Sequence, residues 1–217
     1  MSFFEPPPPP KPSQQSWRQP DWLGPPDNVM GGVLALALVV GRSQQAAAWI
    51  ESVTAYPSGV EFQIEVRWRP EVFDIVSRGA PWHYQPVEGG ELPDELFRAG
   101  FEFADGSKVT TLATGLSGIA APAVVEGALD QAPQGPLLVP RGGGGGGQSW
   151  SHGLWLWPLP AERPFTFVCE WPALGIALTR TEIDVAQVHD AAGRSRLLWE
   201  DDRPPASGPG PVPDAGG

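Results

Sequence analysis

The chain has 217 residues, 41% of them hydrophobic, enough to bury one substantial core. Its formal net charge of −11 makes an acidic surface that repels phosphate backbones and anionic lipid head groups, so neither nucleic acid nor a membrane is an expected partner. The single cysteine, Cys169, excludes an internal disulfide and a thiolate metal cluster.

Residues 1 to 27 hold the Pro6–Pro10 run together with Pro12, Pro20, Pro25 and Pro26. Proline fixes φ and removes a backbone donor, so this tail is predicted to be extended, polyproline-like and disordered. Trp22 and Leu23 interrupt it, and leaving such a pair exposed forgoes roughly 2 kcal/mol of burial. They are expected to dock on the chain's own domain near the strand that holds Trp155 and Trp157, with residues before Trp17 free. The same pair is a candidate interaction surface. The start of the chain carries neither the basic nor the apolar region of a secretory signal, and the 12-residue apolar run from Val29 to Val40 is too short to span a bilayer. A cytoplasmic location is the expectation.

Residues 28 to 200 are predicted to form the domain. Asn28–Val40 and Ala46–Tyr56 read as the first strands, and Pro57-Ser58-Gly59 as the turn into the third. From Val60 to Arg69 apolar and polar residues alternate without a fault. Val60, Phe62, Ile64, Val66 and Trp68 therefore face a core, and Glu61, Gln63, Glu65, Arg67 and Arg69 face away from it. Pro70 to Val87 reads as irregular, with Pro81-Trp82-His83-Tyr84-Gln85-Pro86 as an aromatic island in a loop or edge segment.

Leu92 to Leu96 can make one helical turn with proline at its first position. Phe97–Ala104 and Lys108–Ala113 flank Asp105-Gly106, a hairpin signal. Thr114 to Gly135, rich in Ala, Pro and Gly, is expected to be a long excursion, and Leu137–Val139 a short strand that enters a mobile loop of six glycines. Trp150–Leu159, Phe165–Trp171 and Gly175–Asp184 read as a three-stranded meander. In the first of these both faces are apolar, which requires cover on both sides. Glu182–Ala192 suits one short helix ended by Gly193, and the acidic Pro/Gly segment from 201 to 217 is expected to be disordered. The predicted fold class is all-β: a two-sheet antiparallel β-sandwich, Ig-like in general architecture, with one short C-terminal helix and disordered Pro-rich ends.

Five segments, Leu92-Pro93-Asp94-Glu95-Leu96, Phe103-Ala104-Asp105-Gly106, the polyglycine, Leu156-Trp157-Pro158-Leu159-Pro160 and Cys169-Glu170-Trp171-Pro172-Ala173-Leu174-Gly175-Ile176, carry a resemblance. In them the chain resembles a group of uncharacterised proteins from actinomycete bacteria. The resemblance implies a cytoplasmic bacterial setting and transfers no functional residue.

No motif specifies a chemistry. The glycines match a phosphate-loop pattern trivially, but a strand follows them where a phosphate site requires a helix N-terminus. If Trp150–Leu159 and Phe165–Trp171 formed a hairpin about Ala161 and Glu162, His152 would lie level with Glu170 or Trp171 and would not reach Cys169. Cys169 therefore reads as a small buried hydrophobe. His83, His152 and His189 lack metal-ligand spacing, and the acids Glu88, Glu91, Asp94 and Glu95 lack the calcium-loop pattern. No catalytic residue, cofactor or metal is expected. The ten tryptophans suggest core packing, with Trp82, His83 and Tyr84 as the candidate exposed surface beside Trp22 and Leu23. The expected function is a noncatalytic protein-interaction or structural module, and the alternative is a carbohydrate-binding domain or a hydrolase acting on sugar.

Overall fold

The computed structural model describes residues 19–79, 90–112, 133–161 and 163–199. The expectations for Trp82, His83 and Tyr84, for most of the 114–135 excursion and for the extreme ends fall outside them.

Two antiparallel sheets pack face to face. The first has five strands: β2 (Gly32–Arg42), β3 (Ala46–Ala55), β4 (Val60–Trp68), β7 (Leu137–Gly146) and β8 (Ser149–Trp157), in the order β2-β3-β4-β8-β7. The second has four strands: β5 (Arg98–Phe103), β6 (Lys108–Thr110), β9 (Phe165–Trp171) and β10 (Ile176–Ile183), in the order β10-β9-β5-β6. A two-stranded ribbon of β1 (Val29–Met30) and β11 (Arg196–Leu197) joins the two ends of the described chain.

The alternation in β4 sets the interior. Val60, Phe62, Ile64 and Val66 are fully buried and Trp68 nearly so. From the facing sheet come Phe101, Phe165, Phe167 and Trp171. The two layers meet ring to ring, with Phe62 and Phe101 centroids 4.7 Å apart and Trp68 and Trp171 edge to face at 6.2 Å. The Asp105-Gly106 hairpin joins β5 to β6. Gly106 takes φ +84°, which only glycine adopts without strain, and the Asp105 carboxylate accepts hydrogen bonds from the backbone and hydroxyl of Ser107.

The β2 edge is closed at both ends. Near its C-terminus the Val40 carbonyl accepts a 2.5 Å hydrogen bond from the Thr179 hydroxyl. Near its N-terminus helix α2 (Val185–Gly193) lies so close that a Cβ on Gly32 would sit 1.8 Å from the Ala191 carbonyl oxygen. Arg194 also donates to the Val33 carbonyl. A bulge between Ala35 and Leu38, with Ala37 at φ 47°, breaks the ladder between these points and blunts the edge. Helix α2 starts at an Asp184 cap that accepts from Ala186 N–H.

Three expectations are corrected. The stretch after Pro70, read as irregular, forms a 3₁₀ turn (Pro70–Val72) and helix α1 (Phe73–Gly79), with Val72 and Val76 buried one turn apart on one face. The glycines, read as a loop, continue strand β7 and pair with β8, as in Gly143↔His152 and Gly146↔Ser149; the turn itself falls at Gly147, φ +61°. Strands β8 and β9 are not a hairpin: β8 pairs with β4 and β7, and β9 with β5 and β10, so the prolines at 158, 160 and 164 carry the chain from one sheet to the other.

Candidate functional site

Cys169 and His152, the one sequence-derived pair with a nucleophile and a base, stand in opposite sheets. The Cys169 thiol is buried against the Val40 carbonyl and the Thr179 hydroxyl, and burial pushes it up to about 11 even though the Thr179 hydrogen bond opposes this. A thiol held there is neutral at physiological pH and is a poor nucleophile. Among the described residues no group of three or more His, Cys, Asp or Glu side chains is placed to hold a metal ion. Among them, too, no helix is long and apolar enough to cross a membrane.

Trp22 and Leu23 are each only 7% exposed. They sit in a turn closed by Leu23 N–H donating to the Pro20 carbonyl, on the outer face of the five-stranded sheet. Trp155, an outward position of β8, is completely buried beneath this segment, and its indole N–H donates to the Asp21 carbonyl at 3.2 Å. Tyr56 meets the Trp155 ring edge on at 5.6 Å. Arg141 crosses the outer face beside Gly153, lying 4.0 Å from the Glu61 carboxylate and donating to the Leu23 carbonyl at 3.4 Å. Burial raises the Glu61 carboxyl above its usual range, partly countered by Arg141. Asp21, Trp22 and Leu23, within the stretch 1–27 expected as a tail, thus pack on the sandwich as expected of Trp22 and Leu23.

The end of the sheet where this segment enters also bears a concavity. The Trp155 ring packs against Gly59, whose Cβ position would fall 2.5 Å from it, and the neighbouring Ser58 carbonyl accepts from Leu159 N–H. From Trp157, through a cis Trp157–Pro158 peptide, the chain then lines a cleft of about 440 Å³. Trp157, Pro158, Leu159 and Pro160 line it, together with Phe103, which is stacked on the core ring Phe165. Its polar groups are few: Asp105, Ser107 and the exposed Arg163. Trp157 is half-buried, which leaves part of its ring available. The two hydrogen bonds from Ser107, with Arg163 nearby, hold the Asp105 carboxyl below its usual range, so it is charged at neutral pH.

Of the eight tryptophans in the described residues, Trp22, Trp68, Trp155 and Trp171 are buried, so the tryptophan excess goes largely into packing. The expected surface at Trp82, His83 and Tyr84 lies outside the described residues. The cleft was not anticipated. Its lining comes from residues 103–105, 107, 135–136, 157–161 and 163–164, and only the Leu156–Pro160 segment had a local pattern, aromatic beside proline, that could have marked it. No protein-family model, curated protein or solved structure matches the chain.

Proposed function

We propose that this protein is a noncatalytic interaction module that takes an extended, proline-containing segment of another protein into the cleft beside Trp157. The observation that carries this reading is the chemistry of the cleft wall. An aromatic ring set among prolines offers flat apolar surfaces to pyrrolidine rings, and a preformed polyproline helix loses little entropy on docking there. Such a ligand presents carbonyl acceptors and few N–H donors. The Trp157 indole and the Arg163 guanidinium are donors suited to it. Proline rings in the wall supply neither donors nor acceptors, so the site is poorly furnished for the many hydroxyls of a sugar. The buried, neutral Cys169 thiol also favours a binding role over nucleophilic chemistry.

The test is calorimetric titration of the full chain with synthetic proline-rich decapeptides, repeated on Trp157→Ala. Saturable binding lost in the variant is the expected result. Glycan-array binding that disappears in Trp157→Ala, with no response to the peptides, would establish the carbohydrate reading instead.

A further inference from the structure

Given the cleft reading above, on which this inference rests, we infer that the cleft's first occupant is the chain's own Pro6–Pro10 run, which docks in cis and competes with a proline-rich partner. The described chain begins at Gln19, and the segment that follows is pinned by Asp21 to the Trp155 indole and by Leu23 to Arg141. Trp157 is two residues beyond Trp155 on the same outward face of β8, a separation of roughly 7 Å at about 3.3 Å per strand residue. The segment from Gln19 back to Pro10 reaches about 28 Å at about 3.1 Å per residue in polyproline geometry, so reach does not limit docking.

Chemistry matches as well as length. The run is bracketed by Glu5 and Lys11, and the cleft carries one carboxylate, Asp105, and one guanidinium, Arg163. A proline helix with one charge of each sign at its ends can therefore orient in a cleft that has one charge of each sign. Because the anchor at Asp21 to Leu23 is already packed, tethering is intramolecular. A short tether gives an effective concentration on the order of 1 mM, and against a site whose Kd is about 0.1 mM that weakens a competing peptide about tenfold. The packed anchor and the proline run have separate tasks: the first seals Trp155, and the second guards the cleft.

The experiment uses a synthetic peptide with the sequence of residues 4 to 13, titrated into two full-length chains. One is the natural sequence; the other carries Pro6→Ser, Pro7→Ser, Pro8→Ser, Pro9→Ser and Pro10→Ser together. The expected result is binding about tenfold tighter to the serine variant, with the gain abolished when Trp157→Ala is added. Equal, Trp157-dependent affinity for both chains would overturn the cis occupancy while leaving the cleft reading intact. No binding to the serine variant would overturn both.

Discussion

The two sheets bury similar inner faces and differ on the outside. The four-stranded sheet carries ion pairs there: Arg98 with Glu170 at 2.6 Å, half-buried, and Glu102 between the exposed Lys108 and Arg180, each at 3.3 Å. The five-stranded sheet places Trp155, Tyr56, Glu61 and Arg141 outward near one end, and it needs residues 19–24 to cover them. An outward charge in water satisfies itself with solvent, whereas an outward tryptophan creates a demand that another segment must meet. The segment that covers Trp155 enters beside a cleft lined by tryptophan and proline, so the covered ring and the cleft share one end of this sheet.

Substitutions can break this contrast in order of size. Trp155→Ala, which removes a ring buried on the outer face, is expected to cost about 3 to 5 kcal/mol in denaturant unfolding. A loss below about 1 kcal/mol would mean that the anchored segment contributes little cover. Trp22→Ala with Leu23→Ala should cost less, about 2 kcal/mol, because the released segment regains conformational freedom that partly offsets the lost burial. The same double variant should raise hydrogen exchange at the Trp155 indole while leaving the β9 amides protected.

Glu61 gives a pH-dependent test. Its carboxyl is raised in the folded state, chiefly by burial, so its contribution to stability is present below the unfolded value of about 4.5 and is lost as pH rises through the folded value. Glu61→Gln should therefore raise Tm at pH 7, with the advantage shrinking as pH falls through the raised folded value and gone below about 4.5. A lower Tm at pH 7 would show that pairing with Arg141 outweighs burial. At the small end, Glu102→Gln on the ion-paired face should leave Tm unchanged within error at physiological salt, since exposed pairs are screened.

How much could be read beforehand depended on whether a residue's side chain reports its environment. The ten-residue alternation at Val60–Arg69 made the core face legible, and Asp105-Gly106 made its hairpin legible, because each signal is local and carried by side chains or by a required φ. Glycines 142–146 have no side chains and hence no period. Their strand exists because β8 offers a ladder, which is knowledge held by residues 149–152 and not by the glycines. The Pro158–Pro164 connection looked like a hairpin since its length fits one; only the burial partners of Phe165 and Leu156 send the two strands to different sheets. Helix α1 did have a signal, Pro70 at the start of a turn and Val72 and Val76 four apart, overshadowed by the aromatic, proline-bracketed stretch that follows it. The double-sided apolar pattern of β8 pointed to a cover for Trp155, but the cleft is assembled from three distant segments and had no linear trace.

The most direct measurement is chemical-shift mapping on the nitrogen-labelled serine variant during titration with the residue 4–13 peptide. Shifts are expected at the Trp157 indole, assigned by its loss in Trp157→Phe, and at the backbone amides of Phe103, Ser107 and Arg163, with none at Gly100 or Val168 on the ion-paired face. Shifts centred on Gly100 and Val168, or no shift at saturating peptide, would contradict the cleft reading.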